Sequence, residues 1–262
     1  MLTEKISENN FIRTLGNFFS EIANVAKFIV RFFKEIFTAP FEFREIIKQS
    51  YLIGYRSLPL VAITGFIMGL VLTVQSRPTL AEFGAQSWLP AMVGVSIVRE
   101  IGPVITALIC AGKIGSGISA ELASMKVTEQ IDAMEASGAN AFKYIVFTRI
   151  VSTALMVPLL VIFSDFIALL GSYAGVNIYD DINFRFFFSQ VFQKLNFTDV
   201  IPAVIKTIFF GFAIGLIGTY KGYNSTSGTE GVAKAANSSV VISSLLVFII
   251  DMIAVQVTSL LR

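Results

Sequence analysis

Five ionisable side chains stand inside otherwise apolar stretches of this 262-residue chain: the adjacent pair Arg99 and Glu100, then Asp165, Lys206 and Asp251. Groups so placed pair with one another, pass a proton, or contact a charged or zwitterionic substrate. What is missing narrows the choice. There is no His, the side chain most used for proton transfer near neutral pH and for metal binding, so zinc sites and Ser-His nucleophiles are excluded. The single Cys, Cys110, lies in an apolar run and makes no intrachain disulfide, which leaves the redox compartment undetermined. A net charge of +2 is too small to suggest nucleic acid.

The elements that must position these charges follow from composition. Hydrophobic residues make up 55% of the chain and charged residues 15%, against about 25% charged in soluble domains, and the mean hydropathy is +0.74. Too little charge remains to cover a water-facing surface. A helix crossing a bilayer core of about 30 Å needs about 20 mostly apolar residues, and five stretches qualify: residues 58–76, 88–112, 144–176, 200–220 and 240–261. The fold class is an all-α integral membrane protein with five transmembrane helices, a 58–262 five-span unit behind an N-terminal segment, 1–57. The connection 113–141 lies between the second and third spans.

An odd number of spans puts the termini on opposite sides, and basic residues choose which. Lys5, Arg13, Lys27, Arg31, Lys34, Arg44, Lys48 and Arg56 precede the first span; Lys113, Lys126, Lys143, Arg149, Lys221 and Lys234 fall on the same face. The other face holds only Arg77, Arg185, Lys194 and Arg262. The N-terminus is therefore expected in the cytoplasm and the C-terminus outside. Met1 to Asn10 is polar and no short apolar core with a cleavage site follows, so no signal peptide is expected. Within the N-terminal segment, Phe11, Leu15, Phe18, Ile22, Val25, Ile29, Phe32 and Ile36 recur at steps of four and three, opposite Arg13, Asn17, Lys27, Arg31 and Lys34. This amphipathic pattern suits a helix lying in the cytoplasmic interface. A coiled-coil seam has the same spacing.

A charge near a helix centre costs about 2.5–3.5 kcal/mol on insertion scales. Neighbouring helical residues point about 100° apart, so Arg99 and Glu100 are expected on different faces and need partners elsewhere. By depth, Lys206 is placed to bridge Glu100 or Asp251. Such a bridge serves either as a structural ion-pair cluster or as the polar lining of a substrate or proton path, and the residues alone leave both open. Close packing is indicated by the small-xxx-small pairs Gly65/Gly69, Gly171/Gly175 and Gly211/Gly215. Gly102-Pro103, directly after the charged pair, predicts a local break in the second span.

The 113–141 connection is the most polar helical pattern in the chain. Gly112-Lys113 has Ala107 and Ile114 where a phosphate-binding loop needs Gly and Ser or Thr, so that reading is discarded. Thr128 is a plausible N-cap and Gly138 a stop. Leu122, Met125, Ile131 and Met134 form an apolar stripe that must pack against the chain's own bundle or a partner.

The motif string Arg99-Glu100-Ile101-Gly102-Pro103-Val104, Thr106-Ala107-Leu108, Ala111-Gly112-Lys113-Ile114-Gly115-Ser116, Ala120-Glu121-Leu122 and Met125 to Ala133 closely resembles the signature of MlaE/YrbE-type permeases. Lys113 stands where many members carry Arg, which keeps the charge. The resemblance implies the membrane subunit of an ABC system that moves lipids together with MCE-domain proteins: a homodimer in the bacterial inner membrane, with cytoplasmic ABC ATPase subunits and a periplasmic MCE-domain protein. It implies a phospholipid substrate held in a cavity at the dimer interface. ATP and Mg would be bound by the partner ATPase, with no cofactor, metal or catalytic residue in this chain. The connection then looks like a coupling helix with Glu121, Lys126, Glu129, Gln130 and Asp132 as ATPase contacts, while Arg99, Glu100, Lys206 and Asp251 match charges associated with transport. Two rivals, a proton-coupled secondary transporter and a structural anchor, use the same charges differently.

Overall fold

The computed structural model describes residues 2–38, 41–226 and 228–260, and in the N-terminal helix no side chain among 2–15, 17 and 18. The fold is all-helical in the described residues, as expected, with eight helical runs. They are α1 (Leu2–Ile36), α2 (Phe43–Glu82), α3 (Gln86–Val127), α4 (Gln130–Ala136), α5 (Phe142–Asn177), α6 (Phe184–Lys194), α7 (Phe197–Tyr223) and α8 (Thr229–Leu260). Of these, α2, α3, α5, α7 and α8 are long and apolar enough to cross a membrane. Each outruns its apolar stretch, because a helix has no reason to stop where lipid does.

Two helices form the central seam. Gly69 of α2 lies so close to α5 that a Cβ there would sit 1.8 Å from the Ala168 carbonyl oxygen, and one on Gly171 would sit 2.1 Å from the Phe66 carbonyl oxygen. Only glycine admits backbones at that distance. Thr73 and Ser172 hydroxyls meet across the same seam at 2.7 Å, satisfying polar groups that lipid would leave bare. The third glycine pair, Gly211 and Gly215 of α7, rests on Thr153 and Ile150 of α5. Outward-facing Ile63, Ile67, Ile162, Phe166 and Leu245 stay exposed, which is the surface a bilayer covers.

The predicted break at Gly102-Pro103 is absent. Instead α3 widens by one residue at Ile97–Ile101, where the Gly102 N–H reaches the Ile97 carbonyl five residues back. The wider turn makes room for the proline ring without ending the helix. Arg99 Nε lies 3.9 Å from Glu100 Oε1 on the same turn.

Along α1, Phe28 and Phe32 are buried, packing on Phe142 and Phe147 respectively, and Val25, Ile29 and Ile36 are half-buried against the same core. Much of the apolar stripe thus contacts the bundle itself, while Ile22, Val30, Phe33 and Phe37 remain exposed. The side chains of Phe11, Leu15, Phe18, Lys5, Arg13 and Asn17, and all of Arg262, lie outside the described residues. On the opposite end, Phe187 and Val191 of α6 are buried against Leu89, Val93 and Ile97, and Arg77 grips Asp180 through two 3.0 Å hydrogen bonds. An Asn196–Asp199 capping box starts α7, supplying acceptors for its first free N–H groups.

Candidate functional site

Three helices converge on Lys206. Its ammonium donates to Glu100 Oε2 of α3 at 2.6 Å and to Asp251 Oδ1 of α8 at 2.8 Å. The lysine is buried, at 5% exposure, whereas the Glu100 and Asp251 side chains are 36% and 20% exposed. A desolvated cation is costly unless its charge is compensated, and two carboxylates compensate this one. Arg99 adds a second positive charge beside Glu100. Four of the five sequence-expected charges therefore belong to one cluster. Asp165 is also buried nearby on α5, with Oδ1 lacking a hydrogen-bond partner.

Beside the cluster runs a groove of about 700 Å³ between α7 and α8, lined by Ile201, Ile205 and Phe209 on one wall and Ile253, Ala254 and Val257 on the other, with Lys206 among its lining residues. Arg99, Glu100, Asp199 and Lys206 line an adjoining cleft. An apolar trough with paired charges at its edge has the chemistry to hold an amphiphile: a chain along the walls and a polar head against ions. Its volume lies within the about 300–1,000 Å³ of small-ligand pockets. Sequence reading missed these walls, since Ile201, Ile205 and Phe209 repeat every four residues as any lipid-facing stripe does. Among the described residues, no three Cys, Asp or Glu are placed to hold a metal ion.

The connection between the second and third spans folds as a tight pair, the end of α3 and α4. Thr128 is not an N-cap: it ends α3, its hydroxyl donating to the Ser124 carbonyl at 2.8 Å. Glu129 takes the N-cap place with a left-handed backbone, φ 57°. Gly138, φ 82°, lies just beyond α4 as expected. Lys126 pairs with Asp132 at 2.7 Å, and Gln130 donates to the Thr128 hydroxyl at 3.0 Å. Glu121 accepts from Arg149 at 2.7 Å, a buried arginine that sequence reading had counted only as a flanking charge. The apolar stripe is used internally. Leu122 and Ile131 are buried in the core, with Met125 and Met134 packed on it, so it requires no partner. Glu129, Gln130 and Asp132 are left exposed.

Two substitutions separate these roles. Glu121→Ala leaves the buried Arg149 without its carboxylate and is expected to lower stability by about 1–2 kcal/mol, half of Glu121 being in solvent. Glu129→Gly relieves the left-handed backbone and is expected to raise stability by about 0.5–1 kcal/mol. Thermal unfolding in detergent measures both.

Sequence comparison carries the arrangement to a family. Residues 46–257 match the family described as Permease MlaE. This chain belongs to the MlaE permease family. It is 40% identical over 215 residues to a probable ABC transporter permease protein of Rickettsia bellii (strain RML369-C), covering 82% of this chain and 83% of the relative. A probable ABC transporter permease protein of Rickettsia prowazekii (strain Madrid E) is 42% identical over 78% of this chain and 79% of its own. The intermembrane phospholipid transport system permease protein MlaE of Haemophilus influenzae is 31% identical over 79% of this chain and 80% of its own. The chain is thus an ABC transporter permease subunit of the MlaE family and a multi-pass membrane protein. The match includes the whole charge cluster, α4 and the groove of this permease.

Proposed function

We propose that this permease moves phospholipid between the bacterial inner membrane and a periplasmic MCE-protein carrier, driven by a cytoplasmic ABC ATPase. The observation that carries the reading is Lys206, held between Glu100 and Asp251 at the margin of an apolar groove. A phospholipid is an ionic head on apolar chains, and the groove and cluster answer those two parts. The relative named for intermembrane phospholipid transport supports the substrate class. Basic residues flanking the spans support a cytoplasmic N-terminus and periplasmic C-terminus. The chain acts as a homodimer, two grooves contributing to one cavity.

Exposed Glu129, Gln130 and Asp132 on the α4 turn form the ATPase contact, with Lys126 and Glu121 holding the turn's shape through Asp132 and Arg149. ATP and Mg are bound by that partner, and no bond is made or broken in this chain. Movement of α4 reaches the bundle through the Tyr223 hydroxyl at the end of α7, which donates to Glu135 at 2.9 Å. Because α7 also carries Lys206, a push on α4 arrives at the groove. Reversing charge at both Glu129 and Asp132 is expected to weaken ATPase co-purification at least tenfold while membrane insertion is unchanged; normal co-purification removes α4 from the interface.

A proton-coupled relay is the second reading, favoured by the continuous Arg99–Glu100–Lys206–Asp251 contact chain. Liposomes containing this protein with and without an ATPase distinguish the two. Flux that follows a pH gradient supports the relay; flux that needs ATP and the ATPase supports the lipid permease.

A further inference from the structure

The outer half of α8 is held unlike any other part of the site. Its last buried residue is Val247, and from 248 to 260 no residue is buried, yet this stretch carries Asp251 and one wall of the groove. Glu100 in turn sits on the widened turn of α3. Lys206 belongs to α7, whose Gly211 lies so close to α5 that a Cβ would come within 2.6 Å of the Thr153 carbonyl oxygen. If the passage of a lipid moves one wall of the groove, the wall with no buried residue is the one least tied to the bundle. Lys206 then stays with α5 and loses Asp251.

Asp165 is the carboxylate α5 offers. It is nine-tenths buried, its Oδ1 has no hydrogen-bond partner, and it interacts electrostatically with Lys206. Against Gly102 it lies so close that a Cβ there would fall 1.8 Å from Oδ1, so the carboxylate abuts the turn that carries Glu100. Lys206 has three N–H donors and gives two of them to Glu100 and Asp251. A buried, unsatisfied acceptor on the α5 side of a cation, one of whose two partners, Asp251, sits on the exposed wall, has a use when Asp251 leaves. We propose that Asp165 is a positioning residue, a second counter-ion that receives the Lys206 ammonium when Asp251 moves away with the groove wall. It keeps the lysine compensated in the open state and so lowers the cost of opening. The inference rests on the groove being the lipid path, and deepens that reading.

Thermal unfolding of the full chain in detergent, taken through a double-mutant cycle, tests it without lipid or ATPase. Asp165→Asn alone is expected to shift the apparent Tm by less than about 2 °C, because the carboxylate holds no partner at rest, and Asp251→Asn alone to lower it. Together they are expected to lower it beyond the sum of the single shifts by about 3 °C or more, since Lys206 then keeps only Glu100, having lost Asp251 and its reserve partner. Additive shifts, or a large loss from Asp165→Asn alone, overturn the proposal, because a residue that merely props Gly102 costs the same in either background. Asp251→Ser, run through the same cycle, serves if Asp251→Asn does not fold. Since no transport is measured, failure of the lipid reading and failure of this one are seen separately.

Discussion

Lys206→Met is expected to abolish transport and to lower the stability of the permease by about 3 kcal/mol, the lower end of the cost of breaking a buried ion pair, because Glu100 and Asp251 keep some solvent access. Without the lysine, two carboxylates from α3 and α8 face the same space and repel. The loss in stability alone would not show function, since any internal ion pair behaves so. The deciding variant is the neutral triple, Glu100→Gln, Lys206→Met and Asp251→Asn. Removing all three charges leaves no buried charge of the trio unpaired, and Arg99, which loses Glu100, keeps solvent access, so stability is expected to return to within about 1 kcal/mol of the parent, while transport stays lost. A triple variant that transports normally would make the cluster a structural anchor. Unfolding curves and lipid transfer from the same preparation give both numbers.

Gly69→Ala and Gly171→Ala are expected to cost about 1–3 kcal/mol each, as overpacking does, and together to leave little folded protein. Each added methyl meets a backbone carbonyl oxygen, not a side chain able to turn aside, so α2 and α5 must part. The Thr73–Ser172 hydrogen bond opens with them, exposing two hydroxyls to lipid. Gly112→Ala is the matched control: its Cβ would meet nothing within 4 Å, and no loss is expected. Folded yield on size-exclusion chromatography ranks the three.

Much of this is legible in the sequence. Spans were legible because lipid imposes an apolar length with few exceptions, and Arg99, Glu100, Asp165, Lys206 and Asp251 stood out because each is costly there. The motif running from Arg99 to Ala133 gave the family. Geometry that depends on distant parts of the chain was not legible. Nothing local distinguishes Ile201, Ile205 and Phe209 as groove walls from residues that simply face lipid. Arg149 looked like a flanking charge until its burial beside Glu121 was seen. The stripe through Leu122 and Ile131 left its own bundle and a partner both open, and proved to be core. At Gly102-Pro103 the expected break became a widened turn, because a helix in lipid keeps its hydrogen bonds by re-spacing them where it can. Thr128 was misplaced for a smaller reason: it is Glu129 that adopts the left-handed backbone, and the boundary moved by one residue.

The central claim is that the groove beside Lys206 carries phospholipid under ATPase control. The direct measurement reconstitutes the permease with its ATPase and MCE-domain partner in vesicles of phosphatidylethanolamine and phosphatidylglycerol, and follows a labelled phospholipid with and without ATP, for the parent and the neutral triple variant. Transfer that requires ATP and fails in the correctly assembled variant is the predicted result. Transfer that proceeds equally in the variant, or flux of protons with no lipid moved, would contradict it.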